Sequence, residues 1–506
     1  MGSMPKNRIL RIHKSDSVAV VLRPINKGQV LDIGNSKIKA TEDIGVGHKM
    51  AVRDIAKGED IIKYGASIGH ATMPIRMGSL VHTHNLTTNL SGLLDYTYEP
   101  QFQTLPESEN DNIPTFSGYL RPNGDVGIRN EVWIINTVGC VNKVTERLTH
   151  SARQHFKGRK VDGIHFFSHP YGCSQLGDDH KNTQNILAGL VDHPNAGGVL
   201  VLGLGCENNN IEEFKKVLKK RGSIDTNRIK FLNTQDVEDE QEVGMEILED
   251  LVSYAEGFFR EEIPISKLKI GLKCGGSDAF SGITGNPLLG AFSDALVSQG
   301  GTTILTEVPE MFGAETILMN RCVTKEVFEK CVTMINNFKE YFIRHDQVIY
   351  ENPSPGNKEG GITTLEEKSL GCTQKGGTGQ VVDVVGYGEP VTVPGLNLLD
   401  GPGNDIVAVT ALVASGAHMV LFTTGRGTPL GGPVPTVKVS TNSELAKKKK
   451  HWIDFDAGIL LEDGEMGSVS REFFQYIIDV ASGRILAKNE EQDFREIAIF
   501  KDGVTL

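Results

Sequence analysis

The chain has no cysteine pair spaced for a metal knuckle, no long apolar run and no excess of positive charge. Each absence removes a class of function. Its seven cysteines, Cys140, Cys173, Cys206, Cys274, Cys322, Cys331 and Cys372, are an odd set without CxxC spacing, which argues against a secreted disulfide framework or a zinc ribbon and for reduced thiols. No stretch of about 18 apolar residues is present, and the opening MGSMPKNRIL lacks the apolar core of a signal peptide. The expectation is a soluble, cytoplasmic chain without a membrane partner. Lys and Arg number 52 against 64 Asp and Glu, a net charge of −12, so nucleic acid is not an expected partner and any anionic ligand has to be held by a local positive field. A Walker A loop, an HExxH motif and a GxGxxG after the first strand are missing. There is no internal repeat.

What is present is a folded chain of 506 residues with 57 glycines, enough for roughly three domains with many tight turns and close backbone approaches. Residues 5–95 are short β-branched runs (SVAVVL, KIKAT, DIIKY) broken by Gly and Asn, and predict a small all-β domain. Residues 96–117 contain Pro100, Pro106 and Pro114 without apolar periodicity, and read as an extended linker. From residue 118 apolar runs alternate with amphipathic segments, EVWIINTV with VNKVTERLTHSARQHF and GGVLVLGLG with NIEEFKKVLKKRG. That grammar predicts an α/β portion of Rossmann-like βαβ units with mainly parallel sheets. The expected division is a catalytic α/β domain over 118–350 and a C-terminal α/β domain over 351–506, the latter opening on a Gly/Pro-rich stretch from Asn352 to about Gly403 with loop-like parts (ENPSPGNKEGGITT, QKGGTG) and one strand pair around VVDVVGYGE.

In parallel sheets ligands sit beyond the carboxyl ends of the strands, so the residues after each apolar run carry the chemistry. Four runs end in thiols: INTVG in Cys140, HFFSH in His169, Tyr171 and Cys173, VLGLG in Cys206 and Asn208, and KIGLK in Cys274, Ser277 and Asp278. Cys140, Cys173, Cys206 and Cys274 converging at one sheet edge would suit a soft or borderline metal or an iron–sulfur cluster, against the plain reading of small buried residues at tight turns. The same turns open helices whose free N–H groups favour a carboxylate, which makes Asn208, Ser277 and Asp278 substrate-binding candidates. TEVPEMFGAE places Glu307, Glu310 and Glu315 after a strand. Glu310 is a candidate acid, base or ligand, and Glu315 a helix-start charge. VHTHN sets His82 and His84 two apart, which on a strand puts both imidazoles on one face as a partial metal site. Arg426, between glycines in FTTGRGTP, suits bidentate carboxylate binding. The run Lys447 to Lys450 reads as a solvated helix end.

Taken together, GHKMAVRDIAKGEDIIKYG, VHTHN, FSHPYGCSQLGDDH, LGLGCENN, CGGSDAFSGITGNPLLG, TEVPEMFGAE, ENPSPGNKEGGITTLEEKSLGCTQK, HMVLFTTGRGTP and the ending REIAIFKDGVTL resemble the altronate/galactarate dehydratase family over nearly the whole length. The resemblance implies a β-clip (SAF) N-terminal domain, dependence on Fe2+ or Mn2+, and a hydro-lyase in hexuronate catabolism whose small-molecule partner is a sugar acid. The altronate branch is favoured, giving 2-keto-3-deoxy-D-gluconate from D-altronate. Galactarate or another C6 acid, or a non-catalytic sugar-acid binder on the same scaffold, are the alternatives, and a homo-oligomer is left open. A proton beside an ionised carboxylate is very weakly acidic, so the site has to spread developing charge and help hydroxide leave. For that chemistry Lys49 and Arg426 are expected to supply positive field, and His169 or Tyr171 to serve as base. His82 and His84 are expected as metal ligands, with the four thiols as rivals.

Overall fold

The computed structural model describes residues 8–33, 36–105, 113–222, 224–462 and 464–506. Residues 5–7 of the expected first domain and 106–112 of the expected linker lie outside them. The β-branched runs of the N-terminal region form antiparallel strands. Ile9–Leu10, Val18–Val21, Lys49–Ala51 and Leu80–Val81 make one sheet, and Asp60–Lys63, Ala66–Ala71 and Leu86–Thr87 a second. Val18–Val21 is buried throughout. Ala314 and Leu370, from far along the chain, complete the cluster that holds Ile61, Ile68 and Val81, so the N-terminal core is closed by the C-terminal region. The stretch expected as a linker has no strand or helix among its described residues up to Leu105, yet it is docked. Tyr96 Oη donates to Glu315 at 2.6 Å and Tyr98 Oη to the Cys322 carbonyl at 2.6 Å.

Two parallel sheets follow. The first has the order Gly163–Phe167, Glu131–Asn136, Ala196–Gly203, Ile229–Asn233. The second runs Val381–Val385, Gly395–Leu399, Thr302–Leu305, Lys269–Cys274, Met419–Thr424, Thr436–Ser440, Phe455–Asp456. Strands from both sides of residue 350 share this second sheet. Ala196–Gly203 and Met419–Thr424 are buried along their whole length, as strands covered on both faces must be. A three-stranded antiparallel sheet, Val126–Gly127, Thr115–Leu120 and Arg260–Pro264, ties the start of the first α/β region to the start of the second. The helices Gly177–Asp192 and Asp405–Ala414 pack between the two sheets, where Gly189 meets the Ala414 carbonyl.

One expectation is corrected. The Gly/Pro-rich stretch from Asn352 contains the helix Leu365–Cys372, capped by the Thr364 side chain accepting from the Glu367 N–H. Every residue of this helix is buried, Glu366, Glu367 and Lys368 included, so it has no polar face and shows no helical hydropathy period. Among the described residues no helix is long and apolar enough to cross a membrane.

Candidate active site

The N-terminal domain meets the second sheet at its carboxyl edge through charge. Lys49 ends a loop at the start of its strand and Lys63 closes another, and both reach the same buried carboxylate. Lys49 Nζ is 2.9 Å from Glu367 Oε2 and donates to the Gly361 carbonyl at 2.8 Å, while Lys63 Nζ is 2.7 Å from Glu367 Oε1. Thr363 adds its N–H at 2.8 Å and its hydroxyl at 2.6 Å to Oε2. Burial would push Glu367 up, but the two lysines hold it well below the usual carboxylate range. The lysines differ. Burial, with Lys63 adding repulsion against the pull of Glu367, brings Lys49 down to about 8. Lys63 is carried above its ordinary value, because Glu367 and Tyr64 outweigh the same burial. Backbone packing makes the approach possible. A Cβ on Gly361, at φ +96, would stand 2.3 Å from the Gly47 carbonyl oxygen, so the two chains touch main chain to main chain.

Beneath this contact, four elements bring a second charged group together. The strand Lys269–Cys274 ends in Lys273 and Cys274, the turn after Thr302–Leu305 supplies Glu307 and Glu310, and the helix Leu365–Cys372 with the turn Thr373–Gly376 supplies Lys368, Cys372 and Lys375. Ligand atoms of Cys274, Glu310 and Cys372 lie within 4.8 Å of one another, a group that could hold a metal ion. Two sulfurs and a carboxylate have the right chemistry for a borderline cation, but Cys274 and Glu310 already hold ammonium groups, and the Cys372 thiol donates to Glu310 at 3.2 Å. Lys375 Nζ is 2.8 Å from Cys274 Sγ, and Lys368 Nζ is 2.8 Å from Glu310. Lys273 touches Glu307 and reaches Asp405 at 2.9 Å. Against the effect of burial, Lys368, Lys375 and Lys273 keep Glu310 well below its ordinary range, whereas burial and Glu310 push Glu307 up. Three lysines supply the positive charge a divalent ion would bring, so the triad fits a cation by spacing and not by charge.

Beside the domain contact opens a cavity of about 550 Å³, of a size for a small polar ligand. The N-terminal domain contributes Val46 and Gly47, and the C-terminal region Asp278, Glu359, Arg426, Asn442, Lys448 and Lys449. Asp278 also borders the small void that carries Lys63, Glu367, Lys368 and Cys372, which connects cavity and charge network. Its carboxylate is buried and accepts from Thr441 at 2.9 Å, Ser281 at 3.1 Å and Asn442 at 3.1 Å. Burial pushes it up from the usual carboxylate value. Arg426 is half exposed and 3.3 Å from Glu359.

Three family models cover the chain: "Altronate/galactarate dehydratase SAF domain" at residues 7–89, "D-galactarate dehydratase/Altronate hydrolase, second domain" at 118–256, and "D-galactarate/Altronate dehydratase, C-terminal" at 265–505. The chain belongs to the altronate/galactarate dehydratase family. It is 56% identical over 499 residues to the altronate dehydratase of Bacillus subtilis (strain 168) and 55% identical over 498 residues to that of Escherichia coli (strain K12), in each case over 98% of this chain and 99% of the relative. To the galactarate dehydratase (L-threo-forming) of Escherichia coli (strain K12) it is 33% identical over 499 residues, 94% of this chain and 93% of the relative. The small antiparallel N-terminal region is the SAF domain of this dehydratase family.

The structure separates the residues singled out in the sequence. Lys49 and Glu310 lie in the charge network; Ser277 and Asp278 follow the strand that carries it, and Arg426 lines the cavity. The expectation that Cys140, Cys173, Cys206 and Cys274 share one edge is corrected: the first three follow strands of the first sheet and are exposed, and Cys274 is buried in the second. The expectation that His82 and His84 share a strand face is corrected as well. That strand stops at Val81, and the Asn85 N–H returns to the His82 carbonyl at 3.0 Å, closing a turn. His82 stacks on His48 with ring centroids 5.2 Å apart and its Nε2 donates to the Lys358 carbonyl at 3.0 Å, whereas His84 is exposed. His169 is buried in the second domain with both nitrogens engaged, Nε2 on the Asn136 carbonyl at 2.8 Å and Nδ1 on the Tyr171 N–H at 3.2 Å. Tyr171 packs on the apolar cluster between the sheets, and Asn208 accepts from the Ser174 N–H at 3.2 Å in the first-sheet loops. Lys448 and Lys449, read as a solvated helix end, line the cavity. Lys63, Lys273, Glu367, Lys368 and Lys375 escaped the sequence reading. For Glu367, Lys368 and Lys375 the signal was a run of charges with no polar face in TTLEEKSLGCTQK; Lys63 and Lys273 close apolar strands and gave none.

Proposed function

We propose that the chain dehydrates D-altronate to 2-keto-3-deoxy-D-gluconate, a hydro-lyase reaction of hexuronate catabolism carried out in the cytoplasm. Two altronate dehydratases at 55–56% identity over nearly their full lengths support the substrate. The observation that carries the chemistry is the shared carboxylate: Glu367 holds two buried lysines, one lowered to about 8 and one raised, beside a cavity bordered by Arg426, Lys448 and Lys449. Groups whose surroundings push their proton affinities apart are an acid and a base in waiting.

Arg426 and the two lysines hold the sugar acid's carboxylate, and Arg426 offers the planar fork that such a group prefers. Lys49, neutral, takes the C2 proton on Nζ. The C–H electron pair becomes the C2–C3 double bond as the C3–O bond breaks, and Lys63 gives a proton to the departing oxygen, which leaves as water. The enol ketonises to the 2-keto acid. Glu367 stays ionised and holds both amines in place; after the product leaves, Lys49 gives up its proton and Lys63 regains one by exchange with water, so the network ends as it began. The charge that builds on the substrate carboxylate is met by the fixed cations of the cavity. Dependence on Fe2+ or Mn2+ belongs to this reading, but no step above runs through an ion; in the Cys274–Glu310–Cys372 group, Cys274 and Glu310 are paired with Lys375 and Lys368. We read the two parallel sheets as Rossmann-like and the SAF domain as a β-clip.

The test is a keto-acid assay of the purified chain against D-altronate and galactarate. Keto acid from D-altronate in preference to galactarate is expected. A folded chain that releases none from D-altronate contradicts the reading.

A further inference from the structure

The first parallel sheet carries a thiol group that the reaction above does not use. Three adjacent strands, Gly163–Phe167, Glu131–Asn136 and Ala196–Gly203, run parallel, and each is followed closely by a Gly-Cys pair: Gly172–Cys173, Gly139–Cys140 and Gly205–Cys206. These three thiols are exposed, while Cys274, Cys322, Cys331 and Cys372 are buried. Parallel neighbours lie about 4.8 Å apart, so the same dipeptide at the same end of three neighbours brings the sulfurs to one patch of surface.

The turns that carry them are stitched together. The Gly139 N–H donates to the Tyr171 carbonyl at 2.8 Å, and the Asn209 N–H to the Gly172 carbonyl at 2.9 Å. Asn209 Nδ2 donates to the Thr137 carbonyl at 3.0 Å, and Glu207 fixes the third turn by accepting from Thr137 Oγ1 at 2.6 Å and the Gly205 N–H at 2.6 Å. Gly172, at φ +100, passes so near the first turn that a Cβ there would stand 1.9 Å from the Thr137 oxygen. His169 and Asn208 belong to this framework, through the Asn136 carbonyl and the Ser174 N–H. Such preorganisation of exposed thiols does nothing for packing, since the cysteines themselves cover no core.

The spacing selects what they would hold. Thiolates on one ion at about 2.3 Å stand at most about 4.6 Å apart. Yet the Cys140, Cys173 and Cys206 sulfurs do not form a group within 4.8 Å, which among the described residues only Cys274, Glu310 and Cys372 do. A polynuclear centre, whose irons are separate atoms, spans the wider gap. We propose that Cys140, Cys173 and Cys206 bind an iron–sulfur cluster as three thiolates, each thiol releasing its proton, with one iron left without a protein sulfur and open to an oxygen ligand such as water or a hydroxy acid. This stands on a different sheet from the lysine–carboxylate network and does not depend on the substrate proposed above.

The full chain, handled anaerobically and reconstituted with equal amounts of ferrous and ferric iron and sulfide, is expected to keep about four iron and four acid-labile sulfide atoms through gel filtration, with broad visible absorption. Cys140→Ser, Cys173→Ser and Cys206→Ser are each expected to lose most of that sulfide while keeping the wild-type circular dichroism. Cys274→Ser and Cys372→Ser keep the sulfide. As a measurement that needs no variant, iodoacetamide followed by peptide mapping is expected to label the three thiols in the untreated chain and spare them after reconstitution. No retained sulfide, a single bound iron or zinc without sulfide, wild-type sulfide in the three serine variants, or labelling unchanged by reconstitution would each overturn the proposal.

Discussion

The two parallel sheets present the same kind of edge and opposite chemistry. At the carboxyl ends of the second sheet's strands lie Cys274, Glu307 and Glu310, buried and paired with Lys273, Lys368 and Lys375, and the SAF domain closes them over with Lys49 and Lys63. Beyond the strands of the first lie three exposed thiols set in glycine turns. The carboxyl edge of a sheet offers a place for chemistry; what covers that edge decides which chemistry. Under a lid, low dielectric spreads lysine proton affinities apart and makes acid–base work possible at neutral pH. In the open, thiols stay available to a metal.

That comparison can be broken at its strongest point first. Lys49→Met should lower kcat by about 10²–10⁴-fold, the range of a lost general base, in a keto-acid assay, with the thermal transition still cooperative. Glu367→Ala should strand two buried ammonium groups and cost about 3–5 kcal/mol of stability, read from chemical denaturation. Arg426→Ala should raise KM for the sugar acid by roughly 10- to 100-fold, as for a lost charged hydrogen bond of about 1.5–3 kcal/mol, with kcat less affected. Cys140→Ser, at the open edge, should move the stability of the iron-free chain by less than about 0.5 kcal/mol. A Cys140→Ser loss as large as that of Glu367→Ala would erase the distinction between the covered and open edges.

Much of the fold was legible. Alternation of β-branched runs with turns announced the SAF domain, and the βαβ grammar announced the parallel sheets, because periodicity reports which faces are buried. The helix Leu365–Cys372 was not legible, since burial of Glu366, Glu367 and Lys368 in place of apolar residues erases the period that marks a helix. The site was half legible for a related reason. Lys49, Glu310, Asp278 and Arg426 follow strands or glycine turns, where position alone signals function. Lys63 and Glu367, 304 residues apart in the chain, meet only through the closure of one domain on another. The thiols could be read as strand-end residues, but not assigned to separate sheets, because strand order is not written in the local pattern. His82 and His84 were misplaced by one turn, where Asn85 ends the strand sooner than the apolar run suggests.

The central claim is that a buried Lys49, lowered to about 8, takes the proton as a neutral amine. A base works only after losing its own proton, so kcat/KM for D-altronate should climb with pH and level off with a midpoint near 8, and the residual activity of Lys49→Met should lack that limb. A wild-type profile that is flat or falling across this range, or a Lys49→Met variant that keeps the same rise, would contradict the account.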